Sequence, residues 1–160
     1  MEGDGLEALA SYLVDLTDRL KPGERAKLGR RIATELQKAN AARIAANVDP
    51  EGAAFVPRKK HRQLRGRAKS GLRARRKQGK MFLRARSTAN LRAKANASEA
   101  RVGFVGAMVR IMGVHQEGLE DHVTRDPSSP IAKYPMRRVL GFGPDDRLMI
   151  LELLDAQLRG

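Results

Sequence analysis

His115 and His122 stand seven residues apart with Glu117, Glu120 and Asp121 between them, a gathering of side chains that could ligate a metal or move protons. Their spacing fits neither a two-histidine, one-carboxylate facial triad nor a zinc signature, and a chain without Cys has no thiolate ligand to offer. Cleavage of a phosphodiester with Mg²⁺ needs clustered carboxylates, yet the region best suited to meet phosphate has none between Glu51 and Glu99. Gly141-Phe142-Gly143 lacks the Lys-Ser/Thr of a phosphate loop and precedes Asp145-Asp146, which would repel phosphate, so it reads as a turn into a helix. No Ser lies in a nucleophile elbow, and there is no Cys to attack a substrate. No catalysis, metal or cofactor is therefore expected. His115 reads instead as the close of a helix, its partly charged imidazole meeting the last carbonyls.

The remaining chemistry is electrostatic. Residues 53–98 carry 16 of the chain's 32 Lys and Arg and no Asp or Glu, while the other 16 bases face all 18 acids. The densest part runs through Arg58, Lys59, Lys60, His61 and Arg62 to Arg73, Arg75, Arg76 and Lys77, with Gly66, Gly71 and Gly79 and little apolar material. Such a stretch cannot bury a core, which predicts a basic arm over about 56–80 that is mobile alone and orders only against an anion or another subunit. Composition by itself favours nucleic acid, because Lys and Arg on phosphates release counterions and bind without reading sequence. The same charges suit a neighbour's carboxylates. No helix-turn-helix, basic-zipper or zinc-finger pattern is present, and six aromatics without a Trp offer no platform for stacking single-stranded bases.

The rest of the chain must position this arm. With 160 residues, 41% of them hydrophobic, it has room for one folded domain, 1–160. No apolar run approaches the roughly 18 residues that span a bilayer, the N-terminus is acidic, and a soluble intracellular product is expected. Leu6, Leu9, Leu13, Leu16 and Leu20 form one stripe of a helix over about 4–20. Pro22 suits the first turn of a second helix, paired with the first as a hairpin, with Leu28, Ile32, Leu36 and Ala39 inward and small residues at Ala41, Ala42, Ala45 and Ala46. Asp49-Pro50-Glu51-Gly52 ends it in a type I turn. Phe55-Val56-Pro57 reads as an apolar anchor before the arm, and Met81, Phe82 and Ala85 as the core face of a short helix over about 78–86.

Period-two alternation through Leu91, Ala93, Ala95, Val102 and Phe104 predicts a β-hairpin turning at Asn96-Ala97-Ser98-Glu99. Met108, Ile111, Met112 and His115 return to helical spacing, ending near Gly118. Residues 120–130 read as an irregular loop, 134–139 as an edge strand bearing Pro135, and Pro144-Asp145-Asp146 as the start of a last helix striped by Leu148, Leu151, Leu154 and Leu158. The sum is an α+β domain: an N-terminal helical hairpin and a C-terminal helix on a small, mostly antiparallel sheet, with a long basic arm.

Short blocks in a fixed order add to this reading. Ala42-Arg43-Ile44-Ala45-Ala46, Asp49-Pro50-Glu51-Gly52 and Phe55-Val56-Pro57-Arg58 stand ahead of the basic run. Val114-His115-Gln116-Glu117-Gly118-Leu119, then Tyr134-Pro135-Met136-Arg137-Arg138-Val139-Leu140-Gly141-Phe142, Asp145-Asp146 and a terminal helix follow it. Together they resemble the phage virion morphogenesis family, the tail completion proteins of contractile-tailed temperate phages. Lys21, where a helix-capping Thr is expected, and Arg138, where Pro is expected, depart from the pattern. The resemblance implies a structural virion protein, made in the host cytoplasm and resident in tail or neck, that completes the tail and joins it to the head. It also implies a ring of identical subunits, six or twelve, touching other neck, head-connector and tail proteins. In that setting His115, Gln116, Gly118, Gly141 and Phe142 are expected to hold the domain or a subunit contact. The arm is expected to meet an acidic neighbour, with weak contact to packaged DNA. The alternative is a sequence-nonspecific DNA-binding protein acting through the arm.

Overall fold

The computed structural model describes residues 3–58 and 80–159. Among the described residues, four helices and two separate two-stranded antiparallel sheets make up an α+β fold: α1 (Gly3–Arg19), α2 (Pro22–Ala46), β1 (Leu91–Ala95), β2 (Ala100–Phe104), α3 (Ala107–Glu117), β3 (Glu120–His122), β4 (Ile131–Lys133) and α4 (Pro144–Arg159). Among the described residues, no helix is long and apolar enough to cross a membrane.

The central helix α2 begins without a side-chain cap from Lys21. Its Lys21 N–H instead donates to the Glu24 carboxylate at 3.0 Å, and Pro22 fills the first turn, where a missing N–H costs nothing. At the other end Asn47 adopts the left-handed region, φ 60°, and turns the chain. Gly52 N–H then donates to Asp49 O at 3.0 Å and Asp49 N–H to Ala53 O at 2.8 Å, so the expected turn closes a miniature hairpin that bridges Val48 to Ala54. One face of α2 buries Leu28, Ala33, Leu36, Asn40 and Ile44. A close backbone approach comes at Gly29, where an added Cβ would lie 3.2 Å from Asn96 O.

The β1–β2 hairpin has the expected alternation, with Leu91 opposite Phe104 and Ala93 opposite Val102, and Asn96 Oδ1 accepts the N–H groups of Ser98 and Glu99 in its turn. Its apolar face and α2 enclose the main core of Ile44, Phe55, Met81, Phe82, Ala85, Leu91, Met112 and Val139. Leu28 and Leu154 centre a second cluster, flanked by Leu20, Ile32, Ile150 and Leu153, which fastens α4 to α2. The Leu6, Leu9, Leu13 and Leu16 side chains lie outside the described set.

Four expectations are corrected. Met81, Phe82 and Ala85 are buried as expected, but 80–89 forms turns and no helix: Phe82 takes φ 56°, and Met81 N–H bonds Asn47 Oδ1 at 3.0 Å. Residues 120–130 include a strand, since β3 pairs with β4 from Glu120↔Lys133 to His122↔Ile131. No strand occupies 134–139; Tyr134 N–H donates to Leu119 O and Arg137 N–H to His115 O, so the segment satisfies its backbone at the C-terminal end of α3 and not in a ladder. Finally, of the leucine stripe on α4 only Leu154 is buried, while Leu148, Leu151 and Leu158 are 61%, 37% and 43% exposed. The face that packs is Asp146, Ile150, Leu153 and Leu154.

Candidate functional site

The two sequence blocks that flank the basic run meet at its root. Arg137, only 5% exposed, donates from Nε to Val56 O at 2.6 Å and from Nη2 to Pro57 O at 3.3 Å. Its Nη1 lies 3.0 Å from His115 Nδ1. A guanidinium must donate, so His115 Nδ1 is an acceptor and the imidazole is neutral. Burial, then the charges of Arg137 and Arg58, push the His115 pKa down from 6.5 to about 4. Phe82 and Tyr134 pack edge-on against the same ring, with centroids 4.8 and 5.1 Å away. The expectation of a partly charged helix-end histidine is thus overturned, because a second cation beside Arg137 in a half-buried aromatic setting is penalised twice.

Gln116, on the next position of α3, clamps the segment beyond Arg137. Its Oε1 accepts Val139 N–H at 2.9 Å and Leu140 N–H at 3.1 Å, and its Nε2 donates to Leu140 O at 3.1 Å. Gly118 ends α3 with φ 66° and sits so near Met136 that an added Cβ would approach it to 3.0 Å. Gly141 and Gly143 lie on the Pro50 turn: a Cβ on Gly141 would be 2.6 Å from Pro50 Cγ, and one on Gly143 2.6 Å from Pro50 O. Phe142, between them, points outward and is 57% exposed.

Sequence reasoning missed the polar joint beneath these glycines. Arg43 Nη2 donates to Asp146 Oδ2 at 2.8 Å and to Gly141 O at 3.0 Å, while Asp146 Oδ2 also accepts Gly143 N–H at 2.8 Å. Asn40 Oδ1 accepts Gly141 N–H at 3.2 Å. The signal was present in the buried face of α2, where Asn40 interrupts the apolar pattern and Arg43 precedes Ile44. Without the partner segment it pointed nowhere. Arg138, the departure from the family pattern, pairs with Glu51 at 2.8 Å on the surface.

The histidine–carboxylate gathering does not converge. Asp121 pairs with Arg110, a bond that holds its carboxyl below the usual range, and His122 Nδ1 lies 2.7 Å from Ser129 O. Among the described residues no three His, Asp or Glu side chains are placed to hold a metal ion. An open groove of about 1090 Å³ runs between Val56, Pro57, Arg58, Tyr134, Met136 and Arg137. Arg58 is exposed at its edge; Lys59, Lys60, Arg62, Arg73, Arg75, Arg76 and Lys77 lie outside the described residues.

The profile of the phage virion morphogenesis family matches residues 4–159. The chain belongs to that family. It is also similar to tail completion protein S of Escherichia phage P2, with 31% identity over 149 residues, covering 91% of this chain and 92% of the relative. No solved structure matches it at significance. For this virion morphogenesis protein, then, the matched region includes both flanking blocks and the basic stretch between them.

Proposed function

We propose that this protein completes a phage tail and joins it to the filled head, as a structural component of a homo-oligomeric ring at the neck or tail terminus. The observation that carries this reading is the match to a tail completion protein over 91% of the chain, with the family profile spanning residues 4–159. The geometry supports it. His115, Gln116, Gly118 and Gly141 have their hydrogen-bonding and steric capacity committed to the segment that grips Val56 and Pro57, which suits a scaffold presenting an arm. The proposal assigns no catalysis and no cofactor. In a head-to-tail ring of six or twelve copies, the arm reaches the next subunit and orders on its acidic surface, touching DNA weakly where it faces the channel.

Deletion of the gene tests the reading directly. Electron micrographs of the lysate are expected to show packaged heads and built tails that are unjoined or of irregular length. Empty heads beside normal, attached tails would instead place the protein in DNA replication or packaging and reject the assembly role.

A further inference from the structure

The β1–β2 hairpin buries one face, and its other face is cationic. Arg92 and Lys94 on β1 and Arg101 on β2 are exposed outward, and the register sets Lys94 directly opposite Arg101, with Gly103 opposite Arg92. Like charges opposed across a ladder destabilise it. Glu99 offsets them only weakly, at 3.7 Å from Arg101 with side chains 66% and 53% exposed. Nothing lies within 4 Å of a Cβ built on Gly103, which leaves a shallow notch in this surface.

A complementary surface exists on the same chain. Glu7, Asp15 and Asp18 fall within one stripe of α1, and no Lys or Arg interrupts that stripe. Glu7, Asp15 and Asp18 are exposed. A rod of carboxylates along a helix fits against a two-stranded ribbon of bases. We propose that the outer face of the β1–β2 hairpin in one copy docks on the acidic stripe of α1 in a second copy. Because two different surfaces meet, the contact is head-to-tail and repeats from copy to copy, which generates a ring if the rotation closes. This deepens the homo-oligomer reading above and rests on it. A nucleic-acid backbone would also suit the hairpin face, but it would leave the acidic stripe without a role.

Charge reversal with recovery tests the proposal on the full-length protein, read by sedimentation velocity at low salt. The wild-type chain is expected to sediment above the monomer. Asp15→Lys with Asp18→Lys, or Arg92→Glu with Lys94→Glu, should each reduce it to monomer while leaving the melting transition in place, since all four side chains are exposed. Combining the four changes, or mixing the two double variants, should restore the larger species. A monomeric wild type, an unchanged oligomer in either double variant, or no recovery in the combination would overturn the proposal. Loss of duplex DNA affinity in the hairpin variant with oligomer size intact would assign that face to nucleic acid. Failure here with a positive deletion phenotype leaves the tail-completion reading standing, so the two are separable.

Discussion

His115 accepts a hydrogen bond from Arg137 through Nδ1, and an imidazolium there would set two cations 3.0 Å apart. The folded protein therefore resists protonating this ring until about pH 4, whereas the unfolded chain takes up the proton near 6.5. Below 6.5 the unfolded state binds more protons than the folded one, so stability is present above that pH and is lost as pH falls towards 4. An Asn at this position keeps an acceptor oxygen close to the place of Nδ1 and removes the titration. Wild type and His115→Asn share their carboxylates, so only the histidine separates their acid responses. The melting temperature of the wild type should fall more steeply than that of His115→Asn between pH 6.5 and 4. Parallel curves would contradict the neutral-acceptor assignment. The residue was legible in the sequence as important, but its charge state was not. That state depends on Arg137, which is 22 positions away and had no reason to be placed beside it.

Elements that carry their own periodic signal were readable, and those held by backbone groups were not. The β1–β2 hairpin alternates cleanly because one face meets α2 and the other meets solvent. By contrast, β3 and β4 are only three residues each, and β3 is wholly polar. They are held by Val123 N–H to Pro130 O at 3.0 Å and by an Asp126–Ser129 turn, none of which leaves an apolar pattern. On α4 the leucines overlap a second stripe, and the Arg43–Asp146 pair suits the rotation that buries Leu154 and packs the half-buried Ile150 and Leu153 beside it. The glycines of the α4 entry mark the same joint. An Ala at Gly143 would place Cβ 2.6 Å from Pro50 O, a backbone atom that cannot swing away. Overpacking of this kind costs about 1–3 kcal/mol. Gly103 meets nothing within 4 Å, so Gly103→Ala should be neutral or slightly stabilising. Urea denaturation of Gly143→Ala and Gly103→Ala checks the contrast, and equal midpoints for the two would contradict the close-packed joint.

At the scale of the whole molecule, charge is separated more sharply than shape. The 46 residues of 53–98 carry no acid, while α1 carries an acidic stripe, and Arg137 holds the backbone at Val56 and Pro57, just ahead of the densest basic run in sequence. Composition could identify that stretch but could not choose its partner, because a carboxylate and a phosphate attract the same side chains. Replacing Arg73, Arg75, Arg76 and Lys77 with Gln makes the choice measurable. If the partner is DNA, the quadruple variant should bind every duplex more weakly and flatten the salt dependence by up to about 0.9 log units per lost phosphate contact. If it is an acidic surface of a neighbouring subunit, ring or joint assembly should fall instead, and any residual DNA affinity should not track particle yield. Under the proposed ring reading the protein partner is favoured on mechanical grounds: a ring at the neck would have to let DNA pass, and an arm held tightly on phosphates would oppose that passage. Complementing the gene deletion with this variant and counting joined, stable particles gives the answer. A reduced count with tails and heads still formed fits the subunit partner, whereas a wild-type count would mean that these four charges have no essential place in assembly.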